Sequence, residues 1–195
     1  MTEFSRTLNI INRGDLPDDT TLVLLFRPVE GLYRETYPVC WKVGTFAAGT
    51  PRSMVVTYKN RLAYSHPQVE DDKIVSVNPW VNLNVGQKTT LTKEESGPYK
   101  FTYPISGEED HLIADNNTDS IQELALGVTS QPGRPPSSVL YFSNIETGSN
   151  VTTQFRPVLT ACVTDQYQET QILRDGVRVP EIWKQDLEAL SSNTT

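Results

Sequence analysis

The sequence predicts an all-β protein: a two-sheet antiparallel β-sandwich of jelly-roll-like layout, with one short C-terminal helix. Three observations lead to this prediction. Short runs of alternating apolar and polar residues recur at the spacing typical of sandwiches and barrels. Many of the 13 prolines fall at the edges of these runs, where a residue without an N–H is tolerated. No long segment with helical periodicity separates the runs, which argues against parallel βαβ folds.

The predicted strands follow one another along the chain. The run 20–27 is apolar at successive positions and therefore on both faces, which is typical of a central strand. A two-residue turn at Lys59 and Asn60 is expected to join 53–58 to 61–65 as a hairpin. The other candidate strands are 8–11, 37–43, 73–77, 80–85, 99–103, 123–128, 138–142, 151–155 and 158–163.

The remaining segments are predicted to be loops and one helix. The segment 107–119 is rich in acidic residues and asparagine, and 130–137 is rich in proline and glycine, so both are expected to be long loops. A helix is predicted at about 180–190, with Pro180 at its first position and apolar residues on one side. Trp183 is expected to anchor that helix against an open end or edge of the sandwich.

Composition excludes several functions. The 195 residues suit a single domain, 1–195, and carry 17 basic against 24 acidic side chains, a net charge of -7. Nucleic acid is not a predicted partner, because phosphate binding needs a concentrated basic face. The longest apolar run, 22–26, is too short for a membrane span.

The expected location is cytoplasmic, because the first residues show no basic segment followed by an apolar one. Cys40 and Cys162 lie in apolar runs and are therefore predicted to be reduced, buried thiols. The glycosylation sequons at Asn116, Asn150 and Asn193 are interpreted as coincidence, since their use requires a secretory route.

Several short motifs occur in an order seen in a known group of proteins. They are Leu-Phe-Arg-Pro at 25–28, Val-Cys-Trp-Lys-Val at 39–43, Ala-Gly-Thr at 48–50 and Phe-Arg-Pro at 155–157. Over roughly residues 8–66 and 155–165, the chain resembles small microbial proteins of the rhizosphere-expressed RhiA type. That group has no assigned chemistry, so the resemblance implies an all-β fold and no particular function.

One strand carries a pattern suited to carbohydrate. Trp80, Asn82 and Asn84 alternate with aliphatic residues, which places the three on one face of the strand. An aromatic ring stacks on the C–H face of a sugar, and amides both donate to and accept from hydroxyls. Tyr64 is a further candidate ligand-binding residue. The alternative is an ordinary exposed sheet face with one amphipathic tryptophan.

The two histidines are the candidates for catalysis. His66 precedes a group of acidic residues that includes Asp71, and His111 follows another acidic run. A histidine near carboxylates serves as a general base or a metal ligand when tertiary structure brings the groups together. No metal-binding spacing is present, so solvated acidic turns are the expected use of these runs. No metal and no cofactor are predicted.

Three functional hypotheses follow. The first is a ligand-binding β-sandwich protein that takes a small molecule or a carbohydrate, lectin-like, through Trp80, Asn82, Asn84 and Tyr64. The second is a structural protein that forms a homo-oligomer through its exposed faces. The third is an enzyme whose site is assembled from His66, Asp71 and His111. Whether the chain is an enzyme stays open at this point, and a binding role is favoured.

Overall fold

The computed structural model describes residues 3–95 and 97–191, together with the backbone of 193–194. Throughout these ranges the regular structure is β-strand apart from one 3-10 turn, Leu187–Ala189, which confirms the predicted all-β class. None of the described helical segments has the length and apolar character needed to cross a bilayer.

The strands of the first half of the chain have the following bounds. They are β1 (Ser5–Asn12), β2 (Thr20–Phe26), β3 (Thr36–Pro38), β4 (Cys40–Phe46), β5 (Arg52–Lys59), β6 (Leu62–Ser65), β7 (Gln68–Glu70), β8 (Lys73–Ser76), β9 (Trp80–Leu83) and β10 (Gln87–Lys93).

The second half continues in the same manner. Its strands are β11 (Tyr99–Phe101), β12 (Ile105–Ser106), β13 (Leu112–Asn117), β14 (Gln122–Val128), β15 (Ser137–Ile145), β16 (Asn150–Thr153), β17 (Val158–Val163), β18 (Glu181–Asp186) and β19 (Asn193–Thr194).

Two sheets build most of the core. One has the strand order β18–β17–β2–β4, and the other has the order β3–β15–β14–β6–β9. β2 is flanked on both sides, which confirms the prediction that its two apolar faces belong to a central strand. The inner residues Leu24 and Phe26 of β2 and Leu124 and Leu126 of β14 are fully buried in one hydrophobic cluster.

The remaining sheets include parallel pairs, which the prediction of an antiparallel sandwich did not include. In the sheet β11–β10–β13–β16, β10 and β13 run parallel, and in β19–β1–β5, β1 and β19 run parallel. The hairpin β7–β8 covers the outer face of the β14–β15 sheet, where Ile74 packs with Ala125 and Tyr141. The core therefore has a second apolar layer outside the main cluster.

Two local predictions in the first half of the chain are wrong. Lys59 and Asn60 do not turn a hairpin, because β5 pairs along its whole length with β1, while β6 pairs with β14 and β9. The Asn60 amide side chain accepts from the Phe4 N–H at 2.6 Å, which holds the chain where it passes between sheets. The predicted strand 37–43 is likewise divided at Val39 between β3 and β4, which belong to different sheets.

The segment 107–119 is not a loop throughout, because β13 occupies its second half. Asparagine has a low strand propensity, but Asn116 is 1% exposed and its Nδ2 donates to the carbonyl oxygens of Ser120 and Ile145. These hydrogen bonds satisfy the buried amide. Tertiary contacts therefore override the local preference.

The predicted helix at about 180–190 is also wrong. Residues 181–186 form β18, an edge strand paired antiparallel with β17, and only Leu187–Ala189 turn as a 3-10 helix. A short isolated helix gains little in water, since nucleation is costly. The backbone N–H and C=O groups of residues 181–186 instead form hydrogen bonds with the otherwise unpaired edge of β17. Trp183 is thus a strand residue.

The cysteines are free and buried, as predicted. Cys40 pairs with Leu25 on one side of β2, and Cys162 pairs with Val23 on the other. Two inter-strand spacings separate their backbones, about 9–10 Å, whereas a disulfide requires Cα atoms within roughly 7 Å. Burial raises the pKa of the Cys40 thiol to about 12, with a smaller contribution from Cys162.

Candidate functional site

An open cleft of about 480 Å³ lies between β1 and the sheet that ends at β18. We call it the β1–β18 cleft. Its volume falls within the roughly 300–1,000 Å³ range of small-ligand pockets. The side chains and backbone that line it come from β1, the residue after β1, β2, β17, β18 and the end of the 3-10 turn: Leu8, Asn9, Ile10, Ile11, Arg13, Leu22, Leu24, Ala161, Ile182, Trp183, Gln185 and Leu190.

The floor of the cleft is a row of residues that crosses three strands. Leu24 of β2 pairs with Ala161 of β17, and Ala161 pairs with Trp183 of β18, so all three point to the inner face. Leu24 and Ala161 are 0% and 4% exposed, but Trp183 remains 39% exposed. An inward-facing tryptophan is thus left uncovered at the edge of the sheet.

Ala161 has the smallest side chain among the described residues that line the cleft. Ala161 itself is 4% exposed, so the open part of the cleft lies beside it, against Trp183. The register of β17 and β18 also shifts beside it, so that Ile182 is an extra residue on β18. Such bulges bend an edge strand and often occur next to functional sites.

The opposite wall is formed by β1 and is fastened to the turn that follows β18. The Arg6 Nε donates to the Leu187 carbonyl oxygen at 2.8 Å, and Arg6 also donates to the Glu188 carbonyl oxygen. These bonds hold the 3-10 turn against β1. Leu190 follows this turn and lines the cleft.

The rim of the cleft carries a positive charge. Arg13 is exposed and forms no ion pair with any residue in the described ranges. No acidic residue is found among the described residues of the lining, although the chain has a net charge of -7. Asn9 also lines the cleft. Its Oδ1 atom is buried and has no hydrogen-bond partner in the part of the chain that the structure describes. The cleft is therefore apolar in its depth and favourable to an anion at its rim.

A second group of polar side chains lies elsewhere, and we call it the tyrosine cluster (His66, Lys93, Tyr99, Ser120 and Gln122). The His66 ring stacks on the Tyr99 ring with centroids 4.3 Å apart. The His66 Nε2 lies 2.8 Å from the Gln122 Oε1, and the Gln122 Nε2 donates to the Tyr99 hydroxyl at 3.2 Å and to Ser120 Oγ at 2.9 Å.

The pKa values of His66 and Tyr99 are both lowered, but for different physical reasons. Burial lowers the pKa of His66, although the hydrogen bond with Gln122 and the charge of Glu123 oppose this effect. The hydrogen bond from Gln122 lowers the pKa of Tyr99, and Ser120 and Lys93 lower it further against a smaller effect of burial. The neutral imidazole is thus favoured at His66, and the phenolate is less costly than usual at Tyr99.

The candidate catalytic residues have different neighbourhoods. His66 belongs to the tyrosine cluster, whereas the His111 Nδ1 contacts the Glu109 carbonyl oxygen and its Nε2 contacts Gln154. Asp71 is exposed in the turn of the β7–β8 hairpin, with a positive φ. No group of three metal-ligating side chains occurs in the part of the chain that the structure describes.

The predicted carbohydrate-binding pattern has the expected alternation within β9. Val81 and Leu83 pack toward the core, and Trp80 and Asn82 lie on the other face of β9, with Asn82 exposed and Trp80 half-buried. Asn84 is exposed but follows the end of β9, so the predicted alternation covers only the first two of the three residues. Neither Trp80 nor Asn82 lines the β1–β18 cleft.

Tyr64 does not share this face. It pairs with Val81, is 0% exposed, and its hydroxyl donates to the Leu112 carbonyl oxygen at 3.1 Å inside the core. Burial raises the pKa of the Tyr64 hydroxyl. A ligand on the outer face has no access to its ring, so Tyr64 has a packing role.

Sequence reasoning singled out His66 but missed the other residues that form the two sites. Arg13, Ala161 and Trp183 are far apart in sequence, and the sequence pattern predicts Trp183 on a helix. Tyr99 of β11 and Gln122 of β14 belong to different sheets, and they meet only through a side-chain contact between those sheets. The one local signal was the alternation within β18, which places Trp183 and Gln185 on the same face as Ala161.

Comparison with known proteins identifies no relative: no protein family, no curated protein and no solved structure matches this chain.

Proposed function

We propose that this chain is a non-enzymatic binding protein that takes an apolar small molecule with an anionic group in the β1–β18 cleft. The observation that carries the proposal is the row Leu24, Ala161 and Trp183, in which the first two residues are buried and the inward-facing tryptophan is exposed. Burying apolar surface of a ligand against this tryptophan gives a favourable free energy. Arg13 at the rim supplies the charge for a carboxylate.

Support for this site over the predicted carbohydrate site comes from shape. Ligand sites are usually concave, mostly apolar and furnished with a few polar groups. The β1–β18 cleft has these properties, whereas Trp80 and Asn82 lie on the outer face of an edge strand. Carbohydrate binding through Trp80, Asn82 and Asn84 is the second candidate, since Trp80 and Asn82 share a face of β9 and both amides are exposed. Loss of glycan-array binding in Trp80→Ala would support it.

Dodecanoate, below its micellar concentration, is the probe for the cleft. Isothermal titration calorimetry should show saturable binding, and Arg13→Gln should weaken it about twofold to fivefold, as expected for an exposed ion pair. Arg156→Gln is the matched control, because Arg156 is exposed and lies outside the cleft. The neutral analogue dodecan-1-ol should bind wild type and Arg13→Gln equally. Absence of saturable binding by both probes would refute the proposal.

The predicted location and the predicted homo-oligomer are tested by separate experiments. A cytoplasmic location accords with the two free thiols, since reducing compartments keep cysteines unpaired, and a fluorescent fusion would locate the chain. Homo-oligomer formation is tested by light scattering against the monomer mass of 21.9 kDa. The RhiA-type resemblance stays a prediction about fold.

A further inference from the structure

The tyrosine cluster shares no residue with the β1–β18 cleft and needs its own explanation. Its centre is the hydroxyl of Tyr99. Both amide hydrogens of Gln122 have acceptors there, namely Tyr99 Oη and Ser120 Oγ. Because the Gln122 Nε2 only donates, its Oε1 is the acceptor for His66, whose Nε2 therefore carries the hydrogen.

The Tyr99 oxygen thus accepts a hydrogen bond from Gln122, and the Ser120 and Lys93 side chains also lie within hydrogen-bonding reach of it. This arrangement is the reverse of Tyr64, whose hydroxyl donates to a buried carbonyl oxygen. A hydrogen bond donated to a phenol oxygen stabilises the phenolate relative to the neutral phenol.

A positive charge completes the arrangement. Lys93 of β10 stands directly opposite Tyr99 of β11, so the two side chains share a face of the sheet. The Lys93 Nζ lies 4.9 Å from the centre of the Tyr99 ring. The neighbouring Lys100 is instead paired with Glu94. Lys93 is therefore the cation that favours the phenolate, and the His66 stack fixes the ring.

We propose that Tyr99 is a nucleophilic phenol and a site of covalent modification, for electrophiles whose reacting centre carries oxygen atoms, such as sulfonyl, acyl or phosphoryl groups. The Lys93 ammonium attracts the oxygens of such a group and the negative charge that develops on them. With an aryl sulfonyl fluoride, a bond forms between Tyr99 Oη and sulfur, the S–F bond breaks, and the phenol hydrogen leaves with fluoride.

The experiment measures labelling rates of individual tyrosines by peptide mass spectrometry, with a limiting aryl sulfonyl fluoride at neutral pH. Tyr103 is the internal reference, because it is 92% exposed and follows shortly after Tyr99 in the chain. Tyr99 should react at least about threefold faster than Tyr103 although it is the less exposed of the two.

Lys93→Met is the decisive variant, because Lys93 is exposed and its loss does not disturb the core. It should lower the Tyr99 rate to that of Tyr103 or below. Lys100→Met is the control, because Lys100 directly follows Tyr99, is exposed and is paired with Glu94. It should leave the Tyr99 rate unchanged. Labelling that favours Tyr103, or a Tyr99 rate that is the same in wild type and Lys93→Met, would overturn the proposal.

Discussion

Ala161 and Trp183 are direct partners across β17 and β18, and both side chains point to the inner face of the sheet. Ala161 is 4% exposed and Trp183 is 39% exposed. Two residues with the same orientation therefore differ in burial because the facing sheet covers one and leaves the other open. This difference defines the β1–β18 cleft and the proposed function.

Trp183→Ala should weaken dodecanoate binding by about tenfold or more, since the ligand loses an aromatic surface worth roughly 1.5–3 kcal/mol on full burial. Fluorescence displacement or calorimetry measures the change. Ile121→Ala is the control, because Ile121 is 62% exposed and lies outside the cleft. Equal affinities for Trp183→Ala and Ile121→Ala would contradict the assignment of the tryptophan.

Arg174 should fasten the β7–β8 hairpin to the sheet beneath it. Its Nε forms an ion pair with Asp72 at 2.7 Å, and its guanidinium lies 5.0 Å and 5.5 Å from the ring centres of Tyr141 and Tyr37. Arg174→Ala should lower the free energy of unfolding by about 1–2 kcal/mol, from exposed cation–π contacts and a surface ion pair. Hydrogen exchange in β8 should quicken.

The control for this prediction is Arg178→Ala, because Arg178 is paired locally with Asp175 and is highly exposed. It should leave hydrogen exchange in the hairpin unchanged. Hairpin exchange that is as slow in Arg174→Ala as in the wild type would show that Ile74 and its apolar neighbours hold the hairpin alone.

The two thiols should be inert in the folded protein. Burial raises the pKa of Cys40 to about 12 and also raises that of Cys162, so neither residue forms the reactive thiolate at neutral pH. A thiol reagent such as Ellman's should titrate both cysteines only after denaturation. Rapid reaction of the native protein, or loss of both thiols to a disulfide, would contradict the burial of these strands.

His66 should make stability depend on pH. Because burial lowers the pKa of His66 in the folded state, the unfolded chain takes up this proton first as the pH falls through about 6.5. The free energy of unfolding should therefore decrease on acidification, until His66 is protonated in the folded state as well. At pH values above that range, His66 is neutral in both the folded and the unfolded chain, so it does not change the free energy of unfolding.

Denaturation at a series of pH values tests this dependence. The decrease should be smaller in His66→Asn than in wild type, while His111→Asn, altered outside the tyrosine cluster, should keep it. An identical pH profile for wild type and His66→Asn would show that the imidazole is as well solvated in the folded state as in the unfolded chain.

Strands with alternating or continuous runs of apolar residues could be predicted from the sequence. β2 and β14 are examples, because their burial follows directly from alternating or continuous apolar residues. The error at 180–190 has a different origin. Apolar residues there fit one side of a helix, but the open edge of β17 offers hydrogen bonds that no local pattern reveals.

The candidate sites depend on contacts that sequence order hides. Gln122 lies 56 residues from His66 and 23 residues from Tyr99, yet it bonds to both. The cleft likewise joins Arg13 after β1 to Ala161 and Trp183. The exposure of an inward-facing tryptophan at a sheet edge is a property of tertiary packing, so composition and periodicity carry no trace of it.

The most direct test of the cleft is the dodecanoate affinity of Ala161→Leu, measured by isothermal titration calorimetry. Ala161 lies between Leu24 and Trp183 and is 4% exposed, so the added methylenes should project toward the cleft beside Trp183 and lower the free energy of unfolding by about 1–3 kcal/mol. The account predicts binding weakened by about tenfold or more, since the larger side chain takes the place of the ligand against the exposed tryptophan. Wild-type affinity in a folded Ala161→Leu protein would contradict it.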